Sequence, residues 1–336
     1  MVHFTVAICT YNGEKRLPQV LDCLKTQVNT ENFSWEILVV DNNSIDKTAQ
    51  VVRDYQSSWP FSCYLKYCLE NQQGAGFARK RAIKEAIAPL VGFLDDDNLP
   101  EPNWVAAAYA FSQEHPKAGA YGSQIHGDFE VETPPNFQRI KAFFAITERG
   151  QTPILYEPQK KVLPPSAGLV VRKEAWQNSV PNRSILNGRA GGSMLTSEDL
   201  EVLSYIQQAG WEIWYNPRMQ MKHKIARRRL EKDYLISFFR GIGLSRHVTR
   251  MLSVKPWVRP LAFVAYMLND LRKIAVHLLK YGTQVKTEVV AACEMELFVS
   301  SLVSSFYLWR NGYLTGKNIF DFPSVSEPIS ITKLEE

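Results

Sequence analysis

Apolar residues in the first hundred positions are grouped in short runs that alternate with amphipathic stretches. Four β-rich apolar runs predict strands, at residues 4–8, 37–40, 63–69 and 91–94. Apolar residues at helical spacing lie between these runs, near residues 18–25, 47–55 and 77–87. Strands that alternate with helices in this way predict an α/β fold, in which a mostly parallel sheet has helices on both faces.

Polar residues follow three of the predicted strands. They lie at residues 9–13 and 41–44, and the fourth strand is followed by three consecutive acids at 95–97. Because the carboxyl ends of parallel strands meet at one edge of a sheet, and open α/β sheets bind ligands there, this pattern predicts a ligand site. Asp41 alone is equally typical of a turn, and Asn43, Ser44 or Asp46 could cap the helix that follows.

The three consecutive acids are the stronger signal. An extended backbone directs Asp95 and Asp97 to one side and Asp96 to the other. Two carboxylates on one side of a buried strand end repel each other unless a cation lies between them. Carboxylate oxygens suit Mg²⁺ or Mn²⁺, which keep open positions for the oxygens of a diphosphate. The alternative is a turn that carries surplus surface acids.

A second polar segment begins the predicted helix at residues 200–208. Glu198 and Asp199 follow a glycine-rich stretch at 187–192. The alternative to a functional role is helix capping by Thr196 or Ser197, with first-turn acids that favour the helix dipole. A strand is predicted at 211–215, and His223 follows it; a single histidine is more often structural than a metal ligand.

The segment Gly74-Ala75-Gly76 precedes the helix at 77–87 and could bring backbone N–H groups to a phosphate. It lacks a third glycine and does not follow the first strand, so it is not a dinucleotide-binding fingerprint. Arg79 is the basic residue of this helix that we most expect to reach a phosphate. Lys80 and Arg81 are expected to be solvated.

The 336 residues suffice for about two domains, or for one large α/β domain with an appendage. Residues 218–259 hold 12 Lys and Arg against 2 acids, whereas the whole chain has a net charge of only +5. A concentrated basic stretch indicates an anionic partner, which could be nucleic acid, substrate phosphates or a membrane surface.

The spacing of the cysteines, the length of the runs without a charged residue and the first ten residues indicate the cellular location. The five cysteines are scattered and odd in number, which favours reduced thiols over disulfides or a zinc site. The longest runs without a charged residue have 13 residues, so we expect no helix that spans a bilayer. The first ten residues lack a basic segment and a cleavage site, and we expect a cytoplasmic protein.

Beyond residue 230 the pattern is helical. Apolar residues recur at helical spacing from Leu261 to Leu278, and a second helix is predicted at about 294–309. In the second helix, apolar residues share one face and four serines at 300, 301, 304 and 305 share the other. We expect the apolar faces to pack on the rest of the protein or on each other. The alternative is docking at a membrane, with Trp257, Tyr307 and Trp309 at the interface.

Taken in order, the segments of residues 3–230 resemble the family 2 inverting glycosyltransferases, which have the GT-A fold. The matching motifs are VAICTYN at 6–12, ILVVDNNS at 37–44, GAGFAR at 74–79, FLDDD at 93–97, AGLVVR at 167–172 and ED at 198–199. The stretch 188–230 looks especially like bacterial exopolysaccharide members, including those of hormogonium polysaccharide biosynthesis. This resemblance implies a GT-A domain at 1–230 and a helical C-terminal region at 231–336.

The resemblance also implies a role for individual residues. The resemblance assigns nucleotide binding to Thr10, Tyr11, Glu14, Asp41, Asn43, Arg79 and Asp95. Asp41 would hydrogen-bond the base, which is commonly uracil. Asp95 and Asp97 match the DxD motif, Asp97 holds Mg²⁺ or Mn²⁺, and His223 matches a position that completes the metal site in some members. Asp199 matches the catalytic base and Glu198 its neighbour. Two departures are the third acid, Asp96, which could shift the metal-ligand register, and Cys9 in place of an expected proline.

The function implied is metal-dependent, inverting sugar transfer from a nucleotide-sugar donor, a UDP-sugar, to a hydroxyl of a glycan or lipid-linked acceptor. The alternative is a catalytically silent carbohydrate- or nucleotide-binding subunit of a polysaccharide assembly complex. Nucleic acid is not an expected partner, because the basic stretch has few aromatic residues for base stacking. An anionic membrane surface, at the inner face of the plasma membrane, is a further expected partner.

Overall fold

The computed structural model describes residues 1–59, 63–160, 162–189 and 194–314. Gly191 and Gly192 of the predicted glycine-rich stretch lie outside these residues, as does the end of the predicted C-terminal region. Within them, nine strands form one sheet in the order β3-β2-β1-β4-β8-β6-β9-β5, and β7 pairs with β9. The strands are β1 (Phe4–Thr10), β2 (Trp35–Asp41), β3 (Tyr64–Leu69), β4 (Leu90–Asp95), β5 (Asn98–Pro100), β6 (Ala118–Phe129), β7 (Ile154–Leu155), β8 (Val170–Arg172) and β9 (Glu212–Ile225).

The predicted α/β fold is confirmed. Strands β1 to β4 pair in parallel, whereas β8 pairs antiparallel with both β4 and β6. The helices are α1 (Leu17–Lys25), α2 (Thr48–Ser57), α3 (Ala75–Glu85), α4 (Trp104–Glu114), α5 (Lys173–Ser179), α6 (Glu198–Gln208), α7 (Lys232–Leu252), α8 (Arg259–Tyr281) and α9 (Val289–Arg310). The four predicted strands and the helices between them form close to their predicted positions.

Two hydrophobic cores lie on opposite faces of the sheet because side chains alternate along each strand. Phe4, Val6 and Ile8 of β1 face one core, and Ala7 faces the other. Both cores are lined by strands and covered by helices, so the central strands are buried on both faces and read as continuous apolar runs. This arrangement leaves the carboxyl ends of β1, β2 and β4 at one edge.

Two long strands were missed or shortened by the sequence patterns. β6 has 12 residues and was not predicted, and β9 has 14 residues where a strand of about five was expected. Both contain glycine, histidine or charged residues that interrupt apolar alternation, and they pair with each other in parallel through two register shifts. Tertiary pairing therefore decides these strands.

A third core joins the sheet region to the C-terminal helices. Phe144 and Ile225 lie in it together with Phe239 of α7 and Leu297 of α9. The helix α7 begins at Lys232, close to the predicted boundary at residue 230. This core contains residues from both sides of residue 230. The division of the chain into two domains at that residue therefore stays a prediction.

The burial of α8 and α9 differs from what we expected. Three of the four serines of α9 are buried, with Ser300, Ser301 and Ser304 at 3%, 6% and 0% exposure, and Ser305 is half-buried. Half of the predicted apolar face of α9 is exposed, with Phe306 at 58%, and Leu261 of α8 reaches 74%. The expectation that the apolar faces pack inside the protein is therefore wrong for α8 and only partly met for α9.

The run-length argument excluded every helix as a membrane span, but in the described part of the chain α9 is long and apolar enough by length and composition, and 44% of its apolar window is buried inside the protein. A core helix of a soluble protein passes the same test, so the expectation that no helix spans a bilayer stays a prediction. The run-length argument missed α9 because Glu294 and Glu296 interrupt the uncharged run. All five cysteines are free, as predicted.

Candidate active site

The carboxyl ends of β1 and β4 place Thr10 and the three acids side by side. β1 and β4 are paired in parallel with Cys9 opposite Asp95, so both strands end at the same level. Asp96 turns toward β1, where it accepts hydrogen bonds from Thr10 Oγ1 at 2.6 Å and from Arg16 at 2.8 and 2.9 Å. Burial raises the pKa of Asp96, and the Arg16 guanidinium opposes this. Strand β4 ends at Asp95, and Asp96 and Asp97 form the turn before β5, so this turn and not the alternation of an extended chain separates the three acids.

Asp95 and Glu198 are joined by one arginine. Arg79, which is 5% exposed, places Nη1 at 2.6 Å from Glu198 Oε1 and Nη2 at 3.3 Å from Asp95 Oδ1. Burial lowers the pKa of Arg79, but the charges of these two acids outweigh it and raise the pKa. Arg79 therefore stays charged and connects the predicted DxD motif to the start of α6.

Asp97 lies in a group with His223 and Arg229. Its Oδ2 is 2.9 Å from Arg229 Nη1 and 3.4 Å from His223 Nε2. Burial raises the pKa of Asp97, but the positive charges around it, that of Arg229 among them, outweigh burial and lower the pKa. Asp97 is thus ionised and already faces a cation, the guanidinium of Arg229.

His223 is held in the tautomer that a metal ligand needs. Its Nδ1 lies 2.8 Å from the Phe144 carbonyl oxygen, so Nδ1 carries the proton and donates it. Nε2 then has a free lone pair, which accepts a hydrogen bond from Arg229 Nη1 at 2.8 Å. A backbone carbonyl that fixes the second ring nitrogen is the usual support for a ligating histidine.

The predicted metal ligands are brought together only in part. Asp97 and His223 converge, whereas Asp95 turns to Arg79. Among the described residues, no group of three or more His, Cys, Asp or Glu side chains is arranged to hold a metal. Two convergent ligands still fit Mg²⁺ or Mn²⁺, because these ions commonly take one or two protein ligands plus substrate phosphates. The Arg229 guanidinium stands where the ligand atoms Asp97 Oδ2 and His223 Nε2 meet.

Asp199 is the second residue of α6, and it lines the same pocket as Arg79. Its Oδ2 accepts a hydrogen bond from Ser166 N at 2.9 Å, and its Oδ1 accepts one from Leu200 N at 2.8 Å. Burial and the neighbouring Glu198 raise the pKa of Asp199, and Arg79 opposes this. A carboxylate with a raised pKa is a stronger base near neutral pH. Asp199, Glu198 and Arg79 line one pocket, together with Ser166.

The capping alternative for this segment is not what the structure has. Ser197 is the residue that precedes α6, but it has a φ of 73° and makes no side-chain capping hydrogen bond. The preceding loop instead packs on the start of α3, where Gly76 N donates to Asn187 O at 3.0 Å. A Cβ on Gly74 would lie 2.5 Å from Asn187 O, so only glycine fits there. The N–H groups of Gly74 and Gly76 are therefore used within the protein.

The remaining predicted residues lie around the ends of β1 and β2. Asp41 is buried, and its carboxylate accepts from Ser44 N at 2.9 Å and from the Tyr67 hydroxyl at 2.8 Å. Glu14 Oε2 accepts from Lys47 N at 2.8 Å, so it ties the β1 loop to the start of α2. Tyr11 and Asn43 are exposed at this edge.

Sequence patterns missed Arg16 and Arg229. Arg229 is the third of three consecutive arginines, and nothing in the sequence distinguishes it from Arg227 and Arg228, which are exposed. The fold decides, because β9 delivers His223 to the site and the following turn brings back one arginine. Arg16 carried no signal, since its partner Asp96 lies 80 positions away.

The basic stretch at 218–259 is neutralised in part within the protein. Five of its cations pair with acids, and these pairs are Arg218–Glu114, Lys222–Glu101, Arg229–Asp97, Arg240–Glu296 and Arg250–Asp270. The charge excess that suggested an anionic partner is therefore smaller at the surface than the sequence indicates.

Comparison with known families gives a match to the model described as glycosyl transferase family 2, over residues 5–175. The Staphylococcus aureus poly(ribitol-phosphate) beta-N-acetylglucosaminyltransferase TarS is 32% identical over 115 residues, which are 34% of this chain and 20% of TarS. The chain thus matches about a fifth of that relative. A glucosyl-dolichyl phosphate glucuronosyltransferase from Haloferax volcanii is 22% identical over 241 residues, 70% of this chain and 74% of the relative.

Two solved structures share the fold. TarS residues 1–349 from S. aureus, in complex with UDP-GlcNAc, align with a TM-score of 0.51 at 18% identity, over 93% of this chain and 92% of that one. The mannosyltransferase PcManGT from Pyrobaculum calidifontis, in complex with GDP-Man and Mn²⁺, aligns with a TM-score of 0.55 at 18% identity, over 89% and 87%.

Proposed function

The chain belongs to glycosyl transferase family 2, and from that premise we propose that it transfers a sugar from a UDP-sugar donor to a hydroxyl of a growing glycan or a lipid-linked acceptor. The observation that carries the proposal is the row of side chains at the strand ends, in which Arg79 joins Asp95 to Glu198 while Asp97 faces His223 and Arg229. Nucleotide-sugar transfer needs charge neutralisation at a diphosphate and a base for the acceptor, and this row contains groups for both.

The donor half of the site is formed by the ends of β1 and β2. We assign the nucleoside to Asp41 and Asn43, and the pocket wall to Thr10, Tyr11 and Glu14. A relative of this fold binds a UDP-sugar, which supports uridine as the base. Asp41 keeps acceptor capacity for a base N–H because its carboxylate has about four lone-pair positions and two are used. Asp95 lies beside the end of β1 in this half of the site, and Arg79 contacts its carboxylate.

A divalent cation, Mg²⁺ or Mn²⁺, would be held by Asp97 and His223, with Asp95 as the second DxD carboxylate. When bound, it supplies Lewis-acid stabilisation of the charge that develops on the leaving diphosphate. The convergence of Asp97 Oδ2 and His223 Nε2 on one guanidinium supports this assignment. With a cation held there, Arg229 would no longer pair with Asp97 and His223, and its charge would be available to the diphosphate.

Asp199 is the proposed base. It accepts the proton of the acceptor hydroxyl as that oxygen bonds to the anomeric carbon, and the diphosphate departs from the opposite face, which inverts the configuration. One carboxylate suffices for this displacement, whereas glycosidases use two. Glu198 holds Arg79 in place beside it. The backbone bonds from Ser166 and Leu200 fix the orientation of the Asp199 carboxylate.

We further propose that transfer serves polysaccharide biosynthesis, as in exopolysaccharide and hormogonium polysaccharide assembly, and takes place on the cytoplasmic side of the plasma membrane. The Haloferax volcanii relative, named for a dolichyl phosphate substrate, supports a lipid-linked acceptor at a membrane surface. Nucleic acid is not a proposed partner.

The test is donor binding with and without a divalent cation. Thermal-shift and calorimetric titration with UDP-sugars and Mn²⁺ should show binding that chelation abolishes, and Asp97→Ala should lose it because Asp97 then no longer faces the cation. Equal donor affinity in the presence of chelator would instead assign phosphate neutralisation to Arg79 and Arg229. Donor binding without any turnover across a panel of acceptors would favour the silent binding subunit.

A further inference from the structure

Helices α8 and α9 form a hairpin whose polar side chains face inward. In α8 the buried side chains are Arg259, Asp270 and His277, and among the most exposed are Leu261 at 74% and Leu279 at 87%. This is the reverse of a helix on a water-soluble protein, where apolar residues face the core. The hairpin face is defined here as the exposed apolar residues of this pair, which include Trp257, Leu261, Val264, Leu268, Leu271, Val276, Leu278, Leu279, Val299, Val303, Phe306 and Trp309.

One part of the contact between α7 and α9, next to the large apolar residues of the third core, is built from small residues. A Cβ on Gly243 of α7 would lie 2.6 Å from Ser300 Cβ, so the two backbones approach closely. Ser304 Oγ of α9 donates to the Leu244 carbonyl of α7 at 2.5 Å, whereas Ser301 Oγ donates within α9, to the Leu297 carbonyl at 2.5 Å. Close packing through glycine and serine is typical of helices in lipid, where burial of apolar side chains gives no driving force.

Positive charge surrounds the only acid on α8. Arg250 of α7 binds Asp270 with both guanidinium nitrogens, at 2.5 and 2.8 Å. Lys273 of α8 places Nζ 5.6 Å from the centroid of the Phe298 ring of α9. Because Arg250 of α7 neutralises Asp270, the cations of α8 itself form an excess of positive charge next to the hairpin face. Such an excess complements anionic headgroups.

The ends of the hairpin carry aromatic and basic residues. His277 Nε2 contacts the Ala291 carbonyl at 2.9 Å, and Lys273 lies over the ring of Phe298, so α8 and α9 run antiparallel. Trp257 at the start of α8 and Trp309 at the end of α9 therefore lie at the same end. Exposed cations also flank the face, namely Lys255, Arg272, Lys280 and Arg310, and none of them pairs with a carboxylate in the described part of the chain. Aromatic and basic residues at the ends of an apolar segment are typical of a membrane interface.

We propose that the hairpin face docks into the headgroup–acyl boundary of an anionic bilayer, with the exposed cations Lys255, Arg272, Lys280 and Arg310 beside the lipid phosphates. A bilayer fits better than a second copy of this chain, because the flanking charges of both copies would be positive and would repel each other across a two-fold contact. This docking rests on the proposed function, and it identifies α8 and α9 as the part of the chain that contacts the membrane. The docking element is the α8–α9 hairpin and not the whole 218–259 stretch, five of whose cations pair with acids.

Vesicle flotation with the full chain tests this docking directly. The probe is a vesicle of phosphatidylcholine with about one third phosphatidylglycerol, compared with pure phosphatidylcholine. The wild type should float with the anionic vesicles, and the triple variant Leu261→Ser, Leu268→Ser, Phe306→Ser should bind at least about tenfold more weakly because apolar area no longer enters the bilayer. The matched control is Val28→Ser, Tyr64→Ser, Ile87→Ser, which removes exposed apolar side chains elsewhere and should float like the wild type.

Charge is tested by Arg272→Gln with Lys280→Gln, against Lys84→Gln on the exposed end of α3 as control. The pair should weaken binding to anionic vesicles several-fold and leave the neutral vesicles unaffected. Far-UV circular dichroism and thermal unfolding check that each variant folds, and the single substitution Trp257→Ser repeats the test with the least structural risk.

Several outcomes would overturn the proposal. Equal flotation of the wild type and the triple variant would remove the hairpin face from membrane binding. Absence of flotation, with a dimer in sedimentation that the triple variant dissociates, would assign the face to a second copy. The readout contains no sugar transfer, so failure of docking and failure of the proposed function are separate results.

Discussion

The sheet region and the α8–α9 hairpin distribute their side chains in opposite ways. In the sheet region the apolar residues of β1 are fully buried, and polar residues collect at one edge of the sheet. In the hairpin, serines and an ion pair lie inside while leucine, phenylalanine and tryptophan face outward. The same physical preference produces both patterns if water surrounds the first region and an apolar medium covers part of the second.

The buried charges of the two regions differ as well. Arg79 pairs with acids that line a pocket, and its Nε has no hydrogen-bond partner in the described structure. Arg250 binds Asp270 with two nitrogens between helices. A ligand can therefore change the pairing in the sheet region, whereas the pair in the hairpin mainly fixes how its helices pack. The predictions below test this contrast, in order of expected effect.

The largest effect is expected for Asp199→Asn. Asparagine keeps the size of the side chain but cannot take the acceptor proton, a step that contributes about 10²–10⁴ in rate. Turnover should fall by that factor, with donor affinity little changed. The measurement is steady-state transfer together with calorimetric donor binding. Asp233→Asn, an exposed first-turn acid of α7, is the matched control and should keep full activity. Near-normal transfer by Asp199→Asn would leave Glu198 as the candidate base.

A pair of phenylalanine substitutions compares the interiors of the two regions. Phe111→Ala removes a fully buried ring of α4 and should lower the free energy of unfolding by about 3–5 kcal/mol. Phe306→Ala removes a ring of α9 that is 58% exposed, and should change it by less than about 1 kcal/mol in water. Denaturant unfolding at one temperature measures both. A large loss for Phe306→Ala would mean that the hairpin face is covered in solution.

Glu201 of α6 is a buried acid that accepts hydrogen bonds from backbone N–H groups, whereas the buried Asp270 forms an ion pair with Arg250. Glu201 should therefore make the stability of the protein depend on pH. Glu201 is fully buried and accepts from Ile185 N and Leu186 N, at 2.9 and 2.7 Å. Burial raises its pKa from 4.5 to about 7, and the two N–H groups oppose this. A folded-state pKa above the unfolded value gives stability that is present below pH 4.5 and lost as the pH rises through about 7.

Glu201→Gln should remove that dependence. Between pH 4.5 and 7.5 the unfolding free energy of the wild type should fall relative to this variant, by about 3 kcal/mol at most. Denaturant melts at several pH values provide the measurement, and Glu174→Gln at an exposed position of α5 is the control. Parallel pH profiles of wild type and Glu201→Gln would contradict a raised pKa.

The smallest effect is expected for Arg229→Ala. The guanidinium competes with a divalent cation for Asp97 Oδ2 and His223 Nε2, so its removal should raise Mn²⁺ affinity about tenfold in the absence of nucleotide. Titration calorimetry with Mn²⁺ alone measures this, and Arg228→Ala removes an exposed neighbouring charge as control. Weaker Mn²⁺ binding by Arg229→Ala would show that Arg229 organises the two ligands and does not compete for them.

The sequence by itself determined the α/β fold, because four apolar runs separated by helical spacing permit few arrangements. It also placed the polar strand ends at one edge, but it did not predict the turn at Asp96 and Asp97, because alternation applies to an extended backbone and β4 ends at Asp95. Strand β6 escaped prediction because glycine and polar residues break its apolar pattern, and its partner β9 lies about ninety residues away in the chain. Long-range pairing of this kind leaves no local signal.

The tertiary structure alone decided three matters. It chose Arg229 among three identical neighbours, because only that side chain reaches Asp97 after the turn that follows β9. It paired part of the basic stretch with acids distant in sequence. It also turned the apolar face of α8 and half of that of α9 outward. Helical periodicity shows that a helix has two faces, but which face is buried depends on the partner, and here glycine and serine on α7 and α9 allow a closer approach than leucine would.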